Sequence, residues 1–184
     1  DTVYRKSLPV VRRTVSANRR YTVTVIRMTG PPTVGLIDGV ATTTVMEESD
    51  KRELLRTMQR IREFESEVQT RFRDGEMPGF VHLYVGEEAV ATGVCHALSE
   101  ADFITSTHRG HGHCIARGLE LPRMMAELYG KRTGYCEGKG GSMHIADTEA
   151  GMLGANGIVA AGLPIAAGAG LSAKLRGTEQ VGVA

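Results

Sequence analysis

Tryptophan is absent from these 184 residues, and aromatic side chains make up only 5% of them. That scarcity argues against an aromatic-lined binding platform and suits close-packed α/β elements with tight turns. Cysteine is scarce as well. Cys95, Cys114 and Cys136 are odd in number and show no CxxC spacing, so they read as reduced thiols of a cytosolic-type compartment. Neither sign of charge prevails. A net charge of +1 and a pI near 7.9 give no case for nucleic acid as a partner. Long hydrophobic runs are missing too, and none approaches the ~18 residues that a membrane-spanning helix needs. No membrane partner is expected. The length fits one domain with one sizeable core, by the usual ~100–200 residues per domain.

Glycine is what the chain has in plenty, at 23 residues. The stretch GYCEGKGGSMHIADTEAGMLGANGIVAAG, from Gly134 to Gly162, is too glycine-rich for one regular helix or strand. Met143, Ile145, Met152, Leu153, Ile158 and Val159 still thread it, which argues against a floppy linker. A loop of this kind brings its own amide groups against a ligand or a second subunit.

Residues 1–45 differ in kind. Seven Arg and Lys against Asp1 and Asp38 leave them at +5, so residues 46–184 carry −4 within a chain of +1. The segment reads as a basic, poorly ordered extension outside the fold. An Arg-rich, acid-poor leader can also be an organelle transit peptide, which would move the protein from the cytoplasm to the mitochondrial matrix. Tyr21–Met28 could form a β-hairpin arm, and Gly30-Pro31-Pro32 breaks the run. The chain starts at Asp1 and stops inside what reads as a buried strand, so it is expected to be a piece of a longer protein.

From Asp50 the pattern becomes regular. Asp50-Lys51-Arg52-Glu53 has the form of a capping box, followed by Leu54, Met58, Ile61, Val68 and Phe72 at helical spacings. Asp74-Gly75 supplies the stop. A second helix is expected over Glu87–Leu98, burying Val90, Val94 and Leu98. Asp102–Thr107 reads as a short strand running into His108-Arg109-Gly110-His111-Gly112-His113. Another helix follows over Pro122–Tyr129, then Ala- and Gly-built helix Leu163–Leu175, then a buried strand over Gln180–Ala184. Strand, helix, helix, strand in this order implies a parallel sheet with crossovers.

Two loops invite chemistry. His108, His111 and His113 have a spacing that suits a three-histidine zinc site. Arg109 between them opposes it, and no carboxylate in the loop is placed to orient them. The competing reading is an anion site, with the rigid donor fork of Arg109 turned to phosphate. Gly138-Lys139-Gly140-Gly141-Ser142 is not a Walker A loop. Thr133 stands in place of its first glycine, and Gly140 stands where a Ser or Thr should hold magnesium.

Three motifs then occur in order: Thr107-His108-Arg109-Gly110-His111-Gly112, Gly138-Lys139-Gly140-Gly141-Ser142-Met143-His144, and Gly154-Ala155-Asn156-Gly157-Ile158-Val159. Together they resemble the α subunit of the thiamine-diphosphate-dependent dehydrogenases that form the first component of pyruvate and acetoin dehydrogenase complexes. The likeness covers about residues 50–184, and its wording leans to the acetoin-type and related bacterial pyruvate-type α subunits over the mitochondrial pyruvate form. It implies an α/β, parallel-sheet thiamine diphosphate-binding fold in which 46–184 is the N-terminal portion of the dehydrogenase domain.

The resemblance also implies roles. Arg109 would hold the cofactor's diphosphate, and His108 stands where relatives commonly place a phosphate-touching tyrosine. Gly157 and Val159 would grip the aminopyrimidine through backbone groups. His82 would be an active-site histidine near the reacting carbon, and His111 a second family histidine of open function. The family's metal motif, Gly-Asp-Gly followed later by Asn, is not present and would come just after Val181–Ala184, so the magnesium ligands are expected beyond this sequence. On that ground the chain by itself is expected to be inactive and to bind thiamine diphosphate poorly. The implied partners are a β subunit in an α2β2 heterotetramer, a lipoyl-bearing acyltransferase and a small-molecule substrate. A branched-chain 2-oxo acid dehydrogenase, or a non-catalytic phosphate- or metal-binding module, is the alternative.

Overall fold

The computed structural model describes residues 46–184, together with the backbone of two strands, β1 (Val10–Val15) and β2 (Val23–Met28). β1 and β2 pair antiparallel from Val10↔Met28 to Val15↔Val23. Within the expected Tyr21–Met28 arm, the described part, Val23–Met28, is therefore paired as a strand. The remaining expectations for residues 1–45, including the proline break and the leader, lie outside the described residues.

Helix α1 (Glu48–Arg73) is built from charged, strong helix formers around one apolar stripe. Ile61, Phe64, Glu65 and Val68 are buried, at the spacing of three and four that places them on one face. Glu48 and Asp50 lie in the first turn and Arg71 and Arg73 in the last, each complementing the helix dipole. The capping box expected at Asp50 does not form. The helix starts earlier, after Glu47, and no side chain caps it. Phe72 also departs from expectation, lying exposed near the helix end while Phe64 takes the buried position.

Helix α2 (Glu88–His96) follows a turn and buries Ala91, Thr92 and Cys95, with Val94 and Leu98 partly buried against the core. Strand β3 (Phe103–Thr105) leads into a short helix, α3 (His111–Ala116), and then α4 (Leu121–Leu128) with its proline in the first turn. Beyond them lie strand β4 (Met152–Gly154), helix α5 (Gly162–Arg176) and strand β5 (Gly182–Val183). The cysteines Cys95, Cys114 and Cys136 are free.

The five strands form one sheet in the order β1-β2-β5-β3-β4. β3 is central to the parallel part, pairing Phe103↔Gly182 and Ile104↔Val183 on one side and Ile104↔Met152 on the other. β2 joins β5 antiparallel. Parallel pairing with helical crossovers is the arrangement expected from the order of elements. Ile104, Met152 and Val183 are buried and join Ile61, Val68, Tyr84, Cys114, Met124 and Ile145 in one core. Helix α5 turns Ala166, Gly170 and Ala173 inward. It lies so close to β5 that a Cβ on Gly182 would stand 2.5 Å from the Ala166 carbonyl oxygen. Small residues on both elements make that approach possible. No helix among the described residues is long and apolar enough to cross a membrane.

Candidate functional site

The carboxyl end of β3 carries the first group of site residues, as the edge of a parallel sheet commonly does. Thr107, His108 and Arg109 leave the strand, and α3 begins at His111. Gly110 makes the turn possible by closeness: a Cβ there would lie 2.4 Å from the Cβ of Ala155. The Arg109 loop is thereby pressed against the Gly154–Val159 motif. On that second motif, Asn156 Oδ1 accepts the Ile158 amide at 2.8 Å, shaping a tight bend. Ile158 and Val159 stand out from the bend at 72% and 90% exposure. Gly157 in turn lies beside Met143 and His144 of the Gly138–His144 motif.

A cavity of about 420 Å³ opens at the carboxyl ends of β3 and β5. Thr107, Ile158 and Val183 are among its walls, so the residue before His108 and the residue after Gly157 face one space. A larger groove of about 510 Å³ runs past Glu53, Thr57, His96 and Arg117. It contains none of the motif residues, and the guanidinium at its side is already bonded to the Ser99, Glu100, Asp102 and Ala150 carbonyls.

His82 meets His108 edge-on, with ring centroids 5.2 Å apart. Burial, then electrostatic interaction with His108, Arg109 and His111 nearby, hold the His82 imidazole below the ordinary histidine pKa. Its Nδ1 is buried without a hydrogen-bond partner among the described residues. Arg109 donates through Nη1 to the Leu83 carbonyl. Its other guanidinium donors make no hydrogen bond among the described residues, and they remain available to an anion. His82, His108, Arg109 and the Gly157 bend are thus linked through neighbours, while Val159 projects from the end of the bend.

His111 stands apart. It is fully buried, with Nδ1 2.9 Å from Glu65 Oε1 and Nε2 3.0 Å from Ser142 Oγ. His113 has a third set of neighbours: Nδ1 lies 2.8 Å from Ser106 Oγ, and the Tyr84 ring packs at 5.3 Å. The three histidines therefore serve three different partners, and no cluster of metal-ligating side chains occurs among the described residues. The orienting carboxylate sought in the loop itself comes instead from α1.

Two buried acids escaped the sequence reading. Glu65 sits four residues after Ile61 and three before Val68 on the apolar face of α1. Glu127 sits between Met124 and Leu128 on the buried face of α4. An acid at a core-facing position is the signal that both share. Glu127 is fully buried, and its two oxygens accept four amide N–H groups of the glycine loop. Cys136 and Gly138 donate at 2.8 and 2.9 Å, and Gly140 and Gly141 at 2.7 and 3.1 Å. Burial works to raise the Glu127 carboxyl, but the four amides outweigh it and hold its pKa below the ordinary value. The amides of this part of the loop thus face an anion of the protein's own, where a ligand or a second subunit was expected.

Comparison with known proteins adds to this geometry. The model of the family described as "Dehydrogenase E1 component" matches residues 56–184. The α subunit of an acetoin:2,6-dichlorophenolindophenol oxidoreductase of Bacillus subtilis (strain 168) is 62% identical over 126 residues, covering 68% of this chain and 38% of the relative. Its counterpart of Cupriavidus necator is 56% identical over 137 residues, covering 73% and 41%. The chloroplastic pyruvate dehydrogenase E1 component subunit alpha-3 of Arabidopsis thaliana is 44% identical over 115 residues, covering 62% and 27%. The chain spans about two fifths of the length of the two acetoin-type relatives.

Proposed function

We propose a function from an established premise: the chain belongs to the dehydrogenase E1 component family, whose members use thiamine diphosphate. On our reading it is part of an α subunit that, in an α2β2 assembly with a β subunit, cleaves acetoin or decarboxylates pyruvate. The two-carbon unit then passes to the lipoyl group of an acyltransferase. Acetoin is the favoured substrate, because identity to the two acetoin-type relatives is higher, at 62% and 56% against 44% for the pyruvate-type one. The observation that carries the reading is the shared cavity wall. Thr107, which leads into His108 and Arg109, and Ile158, which follows Gly157, line the same space.

The residues present fit the cofactor. Arg109 keeps free donors of a planar fork that suits a diphosphate, and His108 adds an imidazole beside it. Gly157 has no packing reason to lack a side chain, since a Cβ there would meet only ordinary contacts. A close-lying ring would give it one. Val159 would contribute its backbone to the same grip. When bound, thiamine diphosphate supplies a nucleophilic carbanion for cleaving the bond beside a carbonyl.

His82 is the side chain suited to proton work. Its pKa is depressed by burial and by the neighbouring Arg109 and histidines, so at neutral pH the uncharged ring prevails and has one nitrogen able to accept a proton. Nδ1 is buried and has no partner among the described residues, and this ring is the side chain proposed to exchange a proton with the substrate oxygen. Magnesium enters the proposal through the diphosphate alone, and no described residue is assigned as its ligand.

The test uses the full-length chain co-expressed with its partner subunit. Acetoin-dependent reduction of an artificial electron acceptor should require added thiamine diphosphate and magnesium. Arg109→Ala should raise the cofactor Kd by about ten- to a hundred-fold, the worth of one charge-assisted hydrogen bond or two. Turnover of neither acetoin nor pyruvate, or turnover indifferent to the cofactor, would refute the proposal.

A further inference from the structure

We infer that Ser142 is a positioning residue for His82, held in place by two buried carboxylates, Glu65 of α1 and Glu127 of α4. The inference rests on the reading of His82 as the proton-handling residue.

Ser142 is buried, and its hydroxyl has two neighbours of known polarity. The His82 amide can only donate, and it does so to Ser142 Oγ at 3.0 Å. The hydroxyl proton is then left for His111 Nε2, also at 3.0 Å. That nitrogen accepts if the His111 proton sits on Nδ1, where Glu65 Oε1 receives it at 2.9 Å. Every bond in this chain has one consistent direction: His82 N–H to Ser142, Ser142 O–H to His111, His111 N–H to Glu65. The opposite tautomer would deprive the Ser142 hydroxyl proton of this acceptor and set a lone pair against the Glu65 carboxylate. Glu65 Oε2 has no partner, so the His111 bond is the one that the carboxylate makes among the described residues.

The second anchor acts on the backbone. Glu127 gathers the amides of Cys136, Gly138, Gly140 and Gly141. Gly141 immediately precedes Ser142, and a single 3-10 turn spans Gly141–Met143. Shifting the carboxylate would therefore shift Ser142 itself. His82, by contrast, lies in a segment without regular structure between α1 and α2. Its ring nitrogen Nδ1 has no partner among the described residues, and the amide hydrogen bond to Ser142 holds its backbone. On the next residue, the Leu83 carbonyl is held by Arg109. A buried hydroxyl is thereby made the link between the glycine loop and the proton-handling histidine, through rigid groups that leave little freedom.

The full-length chain assembled with its partner subunit is the material for the test, with Ser142→Ala and Glu127→Gln as variants. Amide-resolved hydrogen exchange should show the His82 amide protected in the wild type and at least about ten-fold faster in Ser142→Ala. The kcat of that variant should fall by about ten- to a hundred-fold, while substrate KM and cofactor Kd stay within two-fold or so. Glu127→Gln puts an amide NH2 where an oxygen accepted N–H groups, and it should change both readouts in the same direction. A folded Ser142→Ala with wild-type kcat, or with His82 still protected, would overturn the inference. Should Ser142→Ala not fold, the wild type decides, because a His82 amide exchanging at the unprotected rate overturns it equally. Absence of cofactor-dependent turnover in the wild type would count against the function proposed above. It would leave the exchange result standing as a separate measurement.

Discussion

Gly157 has room for a methyl group. Added there, a Cβ would lie 3.5 Å from Met143 Sδ and 3.7 Å from the His144 ring, and the residue is exposed. Gly157→Ala should therefore leave stability within about 0.5 kcal/mol, as surface changes usually do. Thiamine diphosphate affinity of the assembled protein should drop at least several-fold, because the methyl would occupy the space proposed for the pyrimidine. Calorimetric titration beside a thermal melt separates the two effects; equal affinity in both proteins would remove Gly157 from the site. At this scale the sequence showed some residues and concealed others. Arg109 and Gly157 sit in motifs whose wording was readable. Glu65 and Glu127 lie on helices, where an acid ordinarily faces water. Only their place on the apolar face sets them apart, and their partners lie 46 and 9 to 14 residues away. Distance in the chain hides such pairs.

Helix α1 shows what an amphipathic element contributes. Ile61 is fully buried against the core, so Ile61→Ala should cost about 2–5 kcal/mol, lost transfer energy plus a cavity. A lower urea midpoint with an unchanged slope would register it. A cost under 0.5 kcal/mol would mean that the helix is not held by that face. The long helices were legible because their apolar period repeats over several turns. The helix α3 and strand β4 were not. Six residues that include Gly112 and three that end in Gly154 are too short to show a period. What creates β4 is pairing with β3, Ile104 against Met152, a contact that no local pattern announces. The start of α1 was missed for a milder reason. Glu48 and Asp50 favour the positive end of the helix from within its first turn, so a side-chain cap is dispensable.

For the molecule as a whole, two buried groups with large shifts contribute to how stability responds to acid. Burial pushes the His113 pKa down from 6.5 to about 4. The unfolded chain binds that proton more readily, so stability is fully present above pH 6.5 and declines as the pH falls toward 4. Glu88 adds a second decline. Its hydrogen bond from Arg62 at 2.5 Å, opposed by burial and reinforced by the Gly86 amide, lowers its pKa from 4.5 to about 2. Its contribution is complete above pH 4.5 and is lost between there and about 2. Urea midpoints measured across this range should show both slopes, with His113→Gln flattening the upper one and Glu88→Gln the lower. A wild-type curve flat from pH 6.5 to 4 would contradict the first assignment. Glu127 has a consequence of a different kind. Since the chain furnishes its own negative group to the amides of Cys136, Gly138, Gly140 and Gly141, that bend is complete before any vitamin-derived guest arrives. The vacant protein and the loaded one should share the same curve of backbone there, leaving the exposed Ile158 and Val159 tip as the place where arrival is felt.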